Sequence, residues 1–371
     1  MAEKKYTIEI DALKFLFTII VFLFLFHKIS NDSAGTPFLW GYLAVEFFFL
    51  VSGYFMAESI RKNGENPLAS SAGGYVWHKI KPLCLPFITA FFVAFIIRQF
   101  ILKATLFEVI KNFFLGLYEM LFLQMSAIKT GRAYNGPGWY ISSMILSIAV
   151  LYPIFKKYRK YIFSVGALLI SVLCYGFINQ TAGISIVPST WNNITYIGNI
   201  RAIAGLSLGV FCNECCHNFK SKKYVLTRPG KIIFSLAGIV NLALLLGIMQ
   251  FPLELNLTHG FDYVAVFLCF TLAFLIFSGL CQLPVKVQMI LGKHRKFLAE
   301  ASLLFYLNHR IIIYWLLSLD VNWRLRHYFF YYIVGSLCTT ILCKLLLILW
   351  GKISQIWKGK ILKREDTMLE P

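Results

Sequence analysis

Charge is what these 371 residues have least of: Asp, Glu, Lys and Arg make up 14% of them, and only 17 residues are acidic against 36 Lys and Arg. So little charge cannot clothe a water-soluble domain of this length. Long polar stretches are missing too, and no soluble domain fits between the apolar runs. The N-terminal region, Met1-Ala2-Glu3-Lys4-Lys5 and the run behind it, has no small-residue cleavage pattern, so the first apolar run is expected to stay as a helix. Paired CxxC and CxxCH spacings are absent from the nine cysteines. The cluster Cys212, Cys215, Cys216, His217 therefore reads as ordinary thiols, and no metal is expected. No repeat of fixed period is evident.

What the chain does have is hydrocarbon. Hydrophobic residues make up 58% and the mean hydropathy is +0.68, which predicts an integral membrane protein. Runs near the roughly 20 residues that cross a bilayer recur at 12–29, 40–57, 82–102, 107–125, 138–155, 161–178, 196–212, 231–250, 261–280, 298–318 and 328–350. The net charge of +19 sits in loops at the run ends, as membrane orientation requires, and does not point to nucleic acid. Basic clusters mark one side: Lys4/Lys5, Arg61/Lys62 with Lys79/Lys81, Lys156/Lys157/Arg159/Lys160, Lys220 to Lys231, Lys286 to Lys296, and a tail from Lys352 to Arg364.

Eleven crossings would break the alternation of these clusters. The segment 107–125, FEVIKNFFLGLYEMLFLQM, is the one that carries Glu108, Lys111 and Glu119 along its length, and it reads as an interfacial or re-entrant helix. The predicted fold is all-α: a single domain over 1–371 with about ten transmembrane helices, that extra helix, both termini cytoplasmic and a basic tail at 352–371.

Ionisable groups inside spans are costly and mark function by default. Lys14 and His27 bracket the first run. Glu46 lies in GYLAVEFFFLVSGYFMAES, Arg98 and Lys103 end the third run, Arg201 falls in NIRAIAGLSLG, and His309 and Arg310 in LLFYLNHRIIIYW. Plainer readings stand beside each. Lys14, Lys28, Lys103 and Arg61 can snorkel to headgroups, Glu46 can pair with Arg98 or Arg201, and a lone histidine in an apolar helix can be a packing residue. Ser52 reads as a close-packing position beside Gly53.

The stretches DALKFLFTIIVFLFLFHK and GYLAVEFFFLVSGYFMAESIRK, with Gly41, Phe47, Phe48, Ser52, Gly53 and Tyr54 as the core of the second, resemble the membrane acyltransferase-3 family. So do YVWHKIKPLCLP, GPGWYISSMILSIAVLYP and the late Tyr-x-x-His of LLFYLNHRIII. The resemblance implies a ten-helix domain that takes an acyl group, usually acetyl, from cytoplasmic acyl-CoA. It passes that group to a hydroxyl of an extracytoplasmic surface polysaccharide or lipid-linked glycan, at the cell membrane. It implies catalytic work for His27, with Glu46, Arg201 and His309 as further site residues, and a CoA-binding mouth of Lys14, Arg61, Lys79 and Lys81. His27 is read as general base or as acyl carrier, Arg201 or Arg98 as oxyanion stabiliser, and His309 as a group on the acceptor side.

The family's first-helix motif has ten residues between the basic residue and His; Lys14 and His27 have twelve. Thirteen helical steps set the two side chains roughly 140° apart, where eleven would leave about 20°. A bend or π-bulge, or a different basic partner, are the ways round this. Met144 stands where many members carry Glu. A transporter with His27, Glu46, Arg201 and His309 as a coupling path is the rival reading, and a non-catalytic partner in a polysaccharide-assembly complex is a further one.

Overall fold

A computed structural model describes residues 8–27, 37–64, 67–126, 128, 133–181, 183–185, 187–222, 227–251, 260–319 and 324–368. Lys4, Lys5, Lys28, most of the loops 30–39 and 251–260 and the last three residues lie outside it, as do the side chains of 357–368. The described residues are helical, with a single isolated bridge between Trp191 and Tyr196.

The helices are α1 Ile8–Leu25, α2 Ala44–Lys62, α3 Leu68–Leu102, α4 Leu106–Met120, α5 Gly138–Lys157 and α6 Ala167–Thr181. They continue with α7 Ile197–Ser221, α8 Arg228–Gln250, α9 Gly260–Ser278, α10 Val285–Lys293, α11 Arg295–Ser318 and α12 Leu325–Met368. A short 3-10 turn leads into α2, and a π turn, Ile162–Gly166, leads into α6. Among the described residues, seven helical stretches are long and apolar enough to cross a membrane by length and composition. They correspond to α2, α3, α5, α6, α8, α9 and α12. The chain is a polytopic helical membrane protein.

The other three long helices, α1, α7 and α11, are 18, 25 and 24 residues long and hold more charged and polar residues, Glu9, Asp11 and Lys14 among them in an otherwise strongly apolar α1. With α2 and α5 they make the packed interior. α7 packs on α2, α5, α6 and α9, while α11 packs on α1, α3 and α12. By contrast α8 turns Ile232, Ile233, Leu236, Ile239, Val240 and Leu244 outward, as lipid contact permits.

Close packing of α2 on α7 explains the small residues in both. A Cβ at Gly53 would collide with the Leu206 carbonyl, and one at Gly209 with the Leu50 carbonyl. Small residues let membrane helices approach to backbone contact. GLSLG, residues 205–209, is thus a Gly-x-x-x-Gly face that the sequence reading passed over.

The segment 107–125 is a 15-residue helix, α4, about 22 Å long against a hydrocarbon core of about 30 Å. Its Glu108 secures the helix start, because Thr105 and Glu108 form a reciprocal cap in which the Thr105 N–H donates to the carboxylate at 2.8 Å. Those hydrogen bonds hold the Glu108 carboxyl below its ordinary value. Phe107, Ile110 and Phe114 form an exposed apolar stripe. Two boundaries differ from expectation. α3 begins at Leu68, taking the basic stretch before Pro82 into the helix, and α12 runs on to Met368, so the expected tail is largely a helical extension. The short α10 was not foreseen.

Candidate active site

The chain runs back and forth, so every second helix end lies together. At one end Arg295 Nε meets Asp11 Oδ2 at 2.7 Å, Arg61 pairs with Glu214 and donates to Asn213 Oδ1 at 2.8 Å, and Lys156 donates to Ser71 Oγ at 2.9 Å. Lys14 and Lys79 share one aromatic face: their ammonium nitrogens lie 5.6 and 6.0 Å from the Phe55 ring centre. This is the basic end. Lys81 is exposed beside it on α3.

At the opposite end the polar side chains of five helices converge. Glu46 and Arg201 are both buried, and the carboxylate takes Arg201 Nε at 2.9 Å and Nη2 at 2.6 Å. Tyr175 donates its hydroxyl to the other oxygen of Glu46 at 2.6 Å. Arg201 also donates to the Tyr42 carbonyl at 3.4 Å and lies over the Trp139 ring at 5.5 Å. The Tyr42 hydroxyl donates to Asp262 at 2.7 Å. Of the two partners open to Glu46, it takes Arg201; Arg98 donates instead to the Ala133 carbonyl at 3.0 Å. Both oxygens of Glu46 are thus engaged.

His27 stands at the rim of this network. Its ring lies 4.8 Å from Phe24, which lies 5.7 Å from Tyr42. Its Nδ1 is 2.6 Å from the Phe24 carbonyl. His309 is fully buried in α11, with Nδ1 3.0 Å from the Phe305 carbonyl. A carbonyl oxygen can only accept, so in each imidazole Nδ1 carries the hydrogen and Nε2 presents the lone pair. In a neutral ring of this tautomer Nε2 is the atom able to accept a proton. His309 Nε2 is buried with no hydrogen-bond partner.

A row of aromatic rings joins His309 to the Glu46 network. Tyr306 lies 6.0 Å from His309 and 6.2 Å from Tyr140, and the Tyr140 hydroxyl is 3.5 Å from Ser52 Oγ. Met144 fills the next space, its sulfur 3.3 Å from Ser52 Oγ. Met144 is therefore part of the wall, where a carboxylate would have added charge.

Lys14 and His27 are not brought together. α1 is regular α-helix from Ile8 to Leu25 with no π-bulge, and it ends in a tight turn where the Phe26 N–H bonds the Leu23 carbonyl. The two residues sit at opposite ends of α1, about 20 Å apart by helical rise. Arg61 is held in its ion pair with Glu214. Cys212 and Cys216 are buried free thiols, and His217 beside them is exposed. Tyr42, Tyr175 and Asp262 escaped the sequence reading. Asp262 alone left a trace, an acidic residue at the head of an apolar run.

The helical bundle thus carries a basic cluster at one end, His27 near the other and a buried His309 within it. The family model for the acyltransferase domain matches residues 7–348, and the chain belongs to this acyltransferase-3 family. It is a membrane acyltransferase. Neither a curated protein nor a solved structure matches it.

Proposed function

We propose that the protein moves an acyl group, acetyl by the family's habit, from cytoplasmic acyl-CoA to a hydroxyl of an extracytoplasmic glycan or lipid-linked sugar, at the cell membrane. In this reading ten helices cross the bilayer, with α4 at the outer interface and both termini inside. The observation that carries it is the polarity of the bundle: Lys14 and Lys79 flank Phe55 at one end, and His27 stands at the other end of the same first helix, its Nδ1 held by the Phe24 carbonyl.

Phosphates of acyl-CoA would meet Lys14, Lys79 and Lys81, with Arg61 behind them. The pantetheine arm then runs along the α1 side of the bundle toward His27. As a base, His27 Nε2 takes the proton of the acceptor hydroxyl while the oxygen attacks the thioester carbonyl. The C–S bond breaks and the CoA thiolate leaves toward the basic end, where it regains a proton. As a carrier, Nε2 itself attacks the carbonyl, releases the same thiolate and yields the acyl group to the hydroxyl in a second step. Glu46 and Arg201 hold Tyr42 and Trp139 around this place, and His309 faces the acceptor.

The test uses purified full-length protein in nanodiscs with labelled acetyl-CoA. Wild type is expected to release CoA, and His27→Ala to lose transfer by at least about a hundredfold with unchanged thermal unfolding. Wild-type transfer in His27→Ala would remove that histidine from the mechanism.

A further inference from the structure

His27 lies just past the last residue of α1, where a helix end frays unless tertiary contacts hold it. One face of that end is held by α12. Tyr332 stacks on Phe22, donates its hydroxyl to the Phe22 carbonyl at 3.1 Å and also meets the Phe26 ring. The face that carries Phe24 is held by the turn before α2. A Cβ at Gly41 would lie 2.6 Å from Phe24 Cβ and 2.9 Å from the Ile20 carbonyl, so the backbone of that turn rests directly on α1. Beside it the Tyr42 ring meets the Phe24 ring edge to face, 5.7 Å between centres.

The turn is itself fixed from three helices. At the end of α8, Gln250 Oε1 accepts from the Phe38 N–H at 2.9 Å and the Met249 carbonyl accepts from the Trp40 N–H at 3.0 Å. Arg201 of α7 donates to the Tyr42 carbonyl at 3.4 Å, and Asp262 of α9, itself buried, accepts the Tyr42 hydroxyl at 2.7 Å. Tyr42 is therefore anchored at its backbone and at its hydroxyl, with its ring bearing on Phe24 between them. Phe24 touches His27 in two ways: its ring lies 4.8 Å from the imidazole, and its carbonyl holds Nδ1 at 2.6 Å.

We infer that Tyr42 and Asp262 are positioning residues for His27. The Asp262–Tyr42 hydrogen bond holds Phe24, and Phe24 fixes both the place of the imidazole and the nitrogen that keeps its lone pair. The hydrogen bond made by one ring nitrogen decides the state of the other. If the Phe24 carbonyl turns away, the ring is free to carry its hydrogen on Nε2 instead. An imidazole of that tautomer can neither take a proton at Nε2 nor attack a carbonyl there. The inference rests on the reading of His27 as the reacting imidazole and adds the two residues that set it.

The experiment uses the full chain with isotope-labelled histidine in lipid bilayers, at mildly alkaline pH, where an ordinary imidazole is neutral. Nitrogen shifts in the solid-state spectrum separate the two tautomers, and the signals lost in His27→Gln identify His27. Wild type is expected to show hydrogen on Nδ1 alone. Tyr42→Phe, which keeps the ring and removes the hydroxyl, and Asp262→Leu are expected to show both tautomers at His27, with the other histidines unchanged. Asp262→Asn, which keeps an oxygen to accept the hydroxyl, should match wild type. For CoA release from acetyl-CoA, kcat is expected to fall at least about tenfold in Tyr42→Phe with KM little changed, and to stay near wild type in Asp262→Asn. A wild-type His27 spectrum in Tyr42→Phe, with lowered thermal stability alone, would make the contact merely structural and overturn the inference. Should Asp262→Leu fail to fold, Tyr42→Phe decides alone. Should wild type release no CoA, the acyltransferase reading fails, and the His27 spectra still decide the positioning by themselves.

Discussion

Glu46 and Arg201 show how much one pair can carry in a membrane interior. Two charges without water need each other, and removing one leaves the other uncompensated. Arg201→Ala or Glu46→Ala is therefore expected to cost about 3–5 kcal/mol. The double variant Glu46→Leu/Arg201→Met should cost clearly less than the sum. Unfolding of the three proteins in mild detergent checks this, and additive losses would separate the two residues. Glu119 behaves differently. Burial pushes its carboxyl up to about 7 against the pull of the Tyr134 and Asn135 N–H groups, Gln124 and Arg98. Between its ordinary value of 4.5 and about 7 the fold keeps a proton that the unfolded chain gives up. Stability is then fully present below that window, falls as pH rises through it, and levels off above. Thermal unfolding across that range should show the slope in wild type and a flatter profile in Glu119→Gln.

Among elements, the α2–α7 contact depends on glycine in a way the lipid-facing helices do not. Gly209→Leu forces a side chain into the Leu50 carbonyl and is expected to destabilise by at least about 1–3 kcal/mol. Gly247 on α8 has open space around it, so Gly247→Leu should be close to neutral. Melting temperatures of the two variants in the same detergent compare them directly, and equal shifts would contradict the close approach. The elements themselves were largely legible from sequence. Apolar runs gave their centres, because a bilayer demands long stretches of hydrocarbon, and 107–125 stood out by its charges. Ends were less legible. Pro82 and Pro86 look like breakers, yet α3 runs through both, since a membrane helix can re-satisfy the freed carbonyl groups.

Across the whole molecule the separation of the basic end from the histidines sets the expected kinetics. Under the proposed function Lys14 and Lys79 would act at a distance from the reacting atoms, attracting phosphate in a way that salt screens. Lys79→Ala should raise the KM for acetyl-CoA about tenfold at low ionic strength, with kcat changed less, and the difference should shrink as salt rises. A salt-independent defect would place Lys79 in packing instead. The same separation agrees with the first-helix spacing, which sets Lys14 and His27 roughly 140° apart; with no π-bulge in α1 to bring them round, they stay at its opposite ends.

Composition and run length alone determined that this chain is a polytopic helical membrane protein, because burying a backbone in hydrocarbon leaves few alternatives to long apolar helices. Glu46, Arg201 and His309 were legible as ionisable residues within apolar runs, since each stands out against hydrocarbon, whereas Tyr42 and Tyr175 were not. Only the tertiary structure decided their partners. Arg201 meets Glu46 across 155 residues of sequence, and Tyr175 meets it across 129. Contacts between helices depend on which faces meet, and no run of residues carries that information by itself.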